Sequence, residues 1–374
     1  MLFTNNVKNN VAHFKRMNGS DENMNLKKNK LSYTNIIMIL FLVLLLCIVG
    51  SIVLGRYPIG LKDTFSILLH RFMGWLESLS LPHMTVEVFW NKTQEALLLN
   101  HRLPRILLAC LVGCCLSAAG ASYQGVFQNP MAAPDILGAS SGAAFGAALA
   151  ILLELNDTMI MVFAFASSMI TVCLVIYVGN QAKGKRVLGL ILAGIMISSL
   201  VSSGTSFIKL VADPNDQLPA ITYWLMGSLN GTTPEDVFFV VWPMLLGLVP
   251  LFLLRWRVNI LTLGDEEAKT MGVNAKRLRT IVILCATLIT AASVSVSGMI
   301  GWVGLVIPHL TRRVVGNNYK YLMPASVLFG AIFLLLVDDI SRNLLVTEIP
   351  IGILTSMIGA PFFIYLMSKD GDQL

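Results

Sequence analysis

Charged side chains are scarce in this chain, so each cluster of them marks a place where chemistry could occur. The 374 residues include 27 Lys and Arg and 21 Asp and Glu. Arg102 and Arg105 sit in the run Arg-Leu-Pro-Arg, and Arg342 follows a long apolar stretch. A guanidinium pairs bidentately with carboxylates, so these positions suit recognition of an acidic partner. They also suit snorkelling at a membrane edge. Gly264 to Arg279 reads GDEEAKTMGVNAKRLR, three acids followed by glycine and then a basic cluster. Gly179 to Arg186, GNQAKGKR, comes close to a phosphate-binding loop. That motif needs Ser or Thr at the last position for Mg²⁺ and a strand before it. Here Arg186 ends it and an apolar helix precedes it, so it reads as a basic loop.

The remaining reactive side chains offer less. All six cysteines (Cys47, Cys110, Cys114, Cys115, Cys173 and Cys285) lie in apolar runs. Cys110 and Cys114 share a helix face, but small polarizable packing residues explain them best. No metal-ligand spacing of Cys and His occurs. His309, after Pro308, reads as structural. Glu154, Asp157, Asp338 and Asp339 fall near the ends of apolar runs, where a carboxylate is cheaper than at mid-membrane and argues little for a proton relay. No HExxH or GxGxxG is present. The chemistry on offer is docking rather than catalysis.

The elements that position these residues follow from composition. The chain is 55% hydrophobic and 13% charged, about half the charge of a soluble domain. It cannot cover a water-facing surface and reads as an all-α integral membrane protein. Apolar runs fall near 36–54, 103–124, 137–154, 158–179, 187–208, 236–254, 280–298, 302–315, 321–340 and 350–367. About 20 apolar residues cross the hydrocarbon, which predicts about ten spans. Residues 1–35 are Asn- and Lys-rich and read as a flexible cytoplasmic tail. Residues 36–370 form the membrane domain, with a cytoplasmic segment at 260–279.

Loop charge predicts sidedness. Alternating sides from a cytoplasmic N-terminus places most Lys and Arg inside, which favours an even count with both termini cytoplasmic. It also places Gly264–Arg279 in the cytoplasm. The basic residues are dispersed over loops without interleaved aromatics, so nucleic acid is not an expected partner. Small residues recur on helix faces at Gly138, Gly142 and Gly146, at Gly113, Ser117 and Ala121, and at Ser198, Ser202 and Ser206. Such stripes permit close helix packing in lipid, and the serines could alternatively line a pathway.

The cytoplasmic segment has its own local logic. Asp265, Glu266 and Glu267 favour a helix N-terminus. Gly272 suits the left-handed position after a helix end, and Asn274 can cap the next helix. The helix between them is too short to stand alone. Lys276, Arg277 and Arg279 open the following helix against its dipole. The pattern specifies a short capped helix tied to spans on both sides, either a solvated loop or a knob for a cytoplasmic protein.

At this point the chain resembles a known group. RLPR (Arg102–Arg105), GASYQGVFQNPMAAPDILGASSGA (Gly120–Ala143), LGDEEAKTMGV (Leu263–Val273), SGMIGWVGLVIPHLTRRVVGNNYKYLMP (Ser297–Pro324) and VDDISRNLLVTEIPIGILTSMIGAPFF (Val337–Phe363) lie in one order over most of the chain. Together they resemble the FecCD-type permeases of bacterial ABC importers for iron–siderophore, haem and vitamin B12. The outer loop 56–100 is longer than that family leads one to expect.

The resemblance implies a type II importer bundle of ten helices, working as a homo- or heterodimer in the bacterial cell membrane. It implies that Leu263, Gly264, Asp265, Glu266, Ala268, Met271, Gly272 and Val273 couple to an ABC-type ATPase. ATP and Mg²⁺ then belong to that partner, and this chain carries no cofactor, metal or catalytic site. It further implies that Arg102, Arg105 and Arg342 meet acidic residues of a substrate-binding lipoprotein. The expected cargo is an iron–siderophore or related metal chelate, with vitamin B12 or haem as alternatives. The rival of another class is an ion-coupled secondary transporter, which needs a midplane ion site at broken helices. The short span with Pro308 is its one hint. An intramembrane enzyme or receptor would need a catalytic constellation or a large soluble domain, and neither is found.

Overall fold

The computed structural model describes residues 33–55, 57, 59–78, 88–181 and 186–369. The tail expected over 1–35 lies outside the described residues up to residue 32, as does most of the basic loop at 182–185. Among the described residues every regular element is helical. Seven helices are long and apolar enough to cross a membrane. These are α1 (Tyr33–Val53), a continuous Lys92–Val126, α6 (Asp157–Gln181), α7 (Arg186–Val211), α9 (Pro234–Leu261), α11 (Ala275–Ser297) and α13 (Tyr319–Asn343). The other three predicted positions hold shorter helices: α5 (Ala139–Leu152), α12 (Val303–Val315) and α14 (Ile351–Lys369).

Three elements escaped the sequence reading. The outer loop contains α2 (Leu61–Ser78), and Lys92–Leu97 forms α3, which opens the long second helix. A short α8 (Gln217–Met226) follows α7. The RLPR run therefore does not open its span. It follows a π-turn at Leu98–Arg102 that joins α3 to α4 (Leu103–Val126). Pro104 gives the physical reason: a proline lacks an N–H and clashes with the carbonyl four residues back. Widening the preceding turn relieves both.

Helix α4 forms the axis of the bundle, packing against α13, α11, α12 and α9. Its most apolar window is 78% buried, whereas that of α1 is 11% buried and faces outward. Small residues make the central contacts possible. A Cβ on Gly120 would collide with the Gly304 carbonyl of α12, and one on Gly330 with the Gly113 carbonyl of α4. Gly142 and Gly146 lie similarly close to the α6 backbone at Ser167 and Phe163. Without hydrophobic drive between helices in lipid, such contact supplies the packing energy. Two serines of α7 bond their own helix: Ser206 donates to the Ser202 carbonyl and Ser203 to that of Ser199.

Candidate functional site

At one end of the bundle, the segment between α9 and α11 folds as its residue types dictate. Helix α10 spans Asp265–Thr270, with Asp265, Glu266 and Glu267 in its first turn. It stops because Gly272 adopts φ +75°, a left-handed conformation that costs other residues about 1 kcal/mol. The Gly272 N–H donates to the Lys269 carbonyl at 3.0 Å and the Val273 N–H to that of Ala268 at 2.9 Å, closing the helix end. Asn274 Oδ1 then accepts the Arg277 N–H at 3.0 Å and starts α11. Gly264 enters the segment at φ +127°, where a side chain would be strained.

Six residues cannot hold a helix in water, so tertiary contacts must. Ala268 is fully buried. Arg279, in the second turn of α11, reaches back to Asp265 in a bidentate pair of 2.7 and 3.1 Å. Its Nε also donates to the Val126 carbonyl at the end of α4, at 3.4 Å. The guanidinium is 2% exposed and Asp265 48%. On the outer surface the Lys269 Nζ donates to Glu266 Oε1 at 2.8 Å, a contact that raises the ammonium pKa. Leu263 and Met271 project into solvent at 60% and 55% exposure. The structure thus brings Asp265, Ala268, Gly272 and Val273 into the frame of a rigid knob. Leu263, Gly264, Glu266 and Met271 lie on or beside its open surface.

The same end holds a second lock. Arg312 of α12 donates to Gln124 of α4, and its other nitrogen to the Tyr319 hydroxyl at 3.2 Å. That hydroxyl donates to the Ala121 carbonyl at 3.0 Å. Gln128 donates to the Leu261 carbonyl at 2.6 Å, and Asn259 Oδ1 accepts the Tyr319 N–H at 2.9 Å. The ends of α4, α9, α12 and α13 are joined at the base of α10.

The opposite end carries the three arginines, each bonded within the chain. None of them stands free. Arg105 pairs with Asp338 at 2.8 Å and with Glu348 at 3.0 Å. Arg342 pairs with Asp339 and donates to the Ser51 carbonyl and hydroxyl of α1, each at 2.7 Å. Arg102 donates to the Ile52 carbonyl at 2.9 Å and to that of Tyr57. Arg102 and Arg342 are buried, and the Asp338 side chain is fully buried. A buried charge is costly unless paired, which explains why Asp338 and Asp339 meet Arg105 and Arg342, while Arg102 is held by backbone carbonyls alone. Asp338 and Asp339 are therefore partners of the arginines, a relation that the sequence pattern of apolar runs hides. Around them Tyr57, Leu345 and Val346 are exposed.

Between the two ends lies an open cavity of about 710 Å³, lined by residues that include Asp135, Thr290, Trp302, Ser356 and Met357. Neither Asp135 nor Arg279 was singled out by its sequence context as a charge with a partner. For Asp135, a carboxylate in a non-helical Pro-rich stretch between two apolar runs was the available signal.

Comparison with known proteins bears directly on this arrangement. The FecCD transport family model matches residues 42–369. The molybdate import system permease MolB of Haemophilus influenzae is 39% identical over 342 residues, covering 90% of this chain and 96% of MolB. An iron chelatin transport system permease of Helicobacter pylori is 41% identical, covering 73% of this chain and 82% of its own length. Among solved structures, an inward-facing metal-chelate-type ABC transporter superposes with a TM-score of 0.78 at 37% identity, covering 90% of this chain and 99% of the other. PsaBC of Streptococcus pneumoniae, in complex with Fab, matches with a TM-score of 0.54 at 18% identity, a likeness of fold.

Proposed function

We propose, for a chain that belongs to the FecCD transport family and so is the membrane-spanning permease subunit of an ATP-driven importer without an ATPase site of its own, that α10 is the element through which ATP hydrolysis is felt. The supporting observation is its build. A helix too short to be stable alone is capped at both ends, pinned by Arg279, and flanked by exposed Leu263 and Met271. Exposed apolar residues on a rigid polar knob suit insertion into a groove of a partner. The coupling residues are Leu263, Gly264, Asp265, Glu266, Ala268, Met271, Gly272 and Val273. The partner is an ABC-type ATPase, which holds ATP and Mg²⁺, and α10 with both termini faces the cytoplasm.

The cargo is an iron–siderophore or related metal chelate. Relatives named for iron chelatin and for Fe(3+)-citrate, each 41% identical, support it. A molybdate permease at 39% identity widens the range beyond the iron, haem and vitamin B12 cargoes that the motifs implied. A substrate-binding lipoprotein docks at the opposite end. The partners of Arg102, Arg105 and Arg342 modify how: a carrier's acidic residues reach Arg105 and Arg342 only by displacing Asp338, Asp339 or Glu348, and reach Arg102 by displacing the Ile52 and Tyr57 carbonyls. A second permease subunit completes the path.

The test is retention of the ATPase. The chain is expressed with its ATPase, solubilised, and the copurifying ATPase quantified, alongside a variant with Gly264–Arg279 scrambled that still reaches the membrane. Retention by the native chain and loss by the scramble is expected. Equal retention by both would move the docking site to another loop.

A further inference from the structure

Helix α2 lies between α1 and α3, outside the stretches that carry the family resemblance, and it has more than one side. At about 100° per residue, Leu61, Phe65 and Phe72 fall within about 40° of one another. They are 59%, 68% and 51% exposed, and the half-buried Leu68 and Leu76 broaden the stripe. A different side is docked on the protein. Thr64 is buried, and Ile67, about 140° from the stripe, sits in one apolar cluster with Ile59, Trp90 and Leu98. Apolar residues scattered singly over a surface need no explanation, but a contiguous stripe marks an interaction surface.

The level of α2 follows from the helix it leans on. Lys92–Val126 is continuous over 35 residues, about 50 Å at 1.5 Å per residue. A bilayer with its headgroups is about 40–45 Å thick. With Val126 at the base of α10, α3 therefore reaches the headgroup layer at the other end. Two contacts hold α2 beside it. The His70 ring lies 5.5 Å from that of Trp90, and the Trp90 Nε1 donates to Glu95 of α3 at 3.1 Å. The chain leading into α2 is fastened at the same end, where Arg102 donates to the Tyr57 carbonyl.

Two observations say what covers the stripe. First, it continues a surface that faces lipid. The apolar window of α1 is 11% buried, and exposed apolar side chains run on from it through Leu54 and Tyr57 to Leu61. Second, its borders are basic. Lys62 and Arg71, both exposed, lie about 80° and 100° to either side of its centre, whereas Asp63, His70 and Glu77 lie about 140–180° away. Long cations at the edges of an apolar face reach phosphates while the face itself sits among acyl chains. Carboxylates on the far side avoid an anionic surface.

We infer that α2 is an interfacial helix lying in the membrane surface at the end opposite α10, with Leu61, Phe65 and Phe72 among the upper acyl chains and Lys62 and Arg71 at the phosphates of anionic lipid. The long loop 56–100 is then a lipid-binding element. Through the Tyr57 carbonyl it steadies α1 and the arginine network from the lipid side. The inference needs only that the chain spans a membrane and depends on neither the cargo nor the ATPase.

The test places probes on two sides of α2 in the full chain, reconstituted without any partner in vesicles of phosphatidylethanolamine and phosphatidylglycerol. The exposed Cys173 is replaced by Ala, and Phe65→Cys, Phe72→Cys and Gly74→Cys are introduced singly. Gly74 lies on the polar side, where an added Cβ meets nothing. Each chain is labelled with nitrobenzoxadiazole and the signal of its parent subtracted. Lipids carrying a nitroxide near the top or near the end of the acyl chain then report depth. The Phe65→Cys and Phe72→Cys probes should emit at shorter wavelength than the Gly74→Cys probe. They should lose more fluorescence to the shallow nitroxide than to the deep one, as fits a face about 5–10 Å into the boundary between headgroups and acyl chains. The Gly74→Cys probe should instead be quenched by aqueous iodide. Lys62→Gln with Arg71→Gln should lower the quenched fraction at Phe65→Cys, since each cation near an anionic surface favours it about fivefold.

All three probe positions are exposed, so the labelled chains should elute from gel filtration as their parent does. Iodide quenching of the Phe65→Cys and Phe72→Cys probes, without loss to either nitroxide lipid, would overturn the inference and leave the stripe to a protein partner. Stronger quenching by the deep nitroxide would make α2 a buried segment and overturn it equally, as would lipid quenching of all three probes alike. A quenched fraction unmoved by Lys62→Gln with Arg71→Gln would overturn the assignment of the two cations to lipid phosphates.

Discussion

Removing the Asp265 carboxylate should loosen α10 more than removing the arginine it pairs with. The pair is asymmetric: Arg279 is 2% exposed and Asp265 48%. Asp265→Ala leaves a guanidinium inside the protein with the Val126 carbonyl at 3.4 Å as a weak remaining acceptor. Breaking a fully buried pair costs about 3–5 kcal/mol. With Asp265 half in water, screening reduces this to about 2 kcal/mol. Arg279→Met removes the charge altogether, retains a stem that packs, and leaves Asp265 to hydrate, so about 1 kcal/mol or less is expected.

Two kcal/mol lowers the ratio of seated to detached α10 roughly 30-fold. The measurable consequence is weaker ATPase retention and fewer cargo molecules moved per ATP. Both should fall further in Asp265→Ala than in Arg279→Met, and the double variant should resemble Arg279→Met. The assay is a titration of the detergent-solubilised permease with labelled ATPase, with transport per ATP measured in vesicles. Additive losses in the double variant, or an Arg279→Met variant worse than Asp265→Ala, would show that the two side chains act separately and that the pin does not exist.

Two further outcomes follow from the same geometry. Gly120→Leu should prevent α12 from seating on α4, since even a Cβ there meets the Gly304 carbonyl. Overpacking costs of about 1–3 kcal/mol or more should appear as a lower Tm and aggregation in gel filtration, while Leu at the outward-facing Gly50, which has open space, should change neither. Arg105→Met should leave the fully buried Asp338 with the more distant Arg342, whose Nε lies at 3.8 Å, and destabilise by about 2 kcal/mol. Thermal unfolding should then show recovery when Asp338→Asn is added, and a double variant no more stable than Arg105→Met would contradict the pairing.

Much of the fold was legible because lipid leaves few choices. A run of about 20 apolar residues must be a helix, and helices do lie at each predicted position. The short lengths of α5 and α12 were legible too, from the runs at 137–154 and 302–315, and the chain entering them, a 3₁₀ turn at Pro134–Leu137 and irregular backbone at Gly298–Trp302, lies inside the bundle. Hydropathy does not distinguish apolar helix from apolar turn. Helices α2 and α8 were missed because their apolar residues are mixed with polar ones and fall short of a spanning run. The opening of α4 was misread because Pro104 resembles a helix start, and the π-turn that absorbs it has no composition of its own.

The segment that holds α10 was legible almost residue by residue, since caps and left-handed glycines are local chemistry that short sequence determines. The arginines were not, since their partners are far away in the chain. Asp338 lies 233 positions from Arg105, and no local pattern announces such a pair. Position near a helix end says only that a charge is cheaper there, not whether it is covered. At this end of the bundle, the neighbouring loop and α1 cover it instead.

Those distant pairs tie the two ends of the bundle together. Helix α4 carries Arg105 near one end and Gln124 and Val126 at the other, and α13 carries Asp338, Asp339 and Arg342 at one end and Tyr319 at the other. Midway they touch through Gly113 and Gly330. Charge pairs, backbone contact and the Tyr319 hydroxyl thus bind α4 and α13 into one strut running from the arginine network to the base of α10. Asp265 of α10 meets the strut through Arg279, whose Nε donates to the Val126 carbonyl at the end of α4. Helices α8 and α14, which line the cavity, are tied to the strut by few contacts, so the cavity lies outside the most tightly joined part of the bundle.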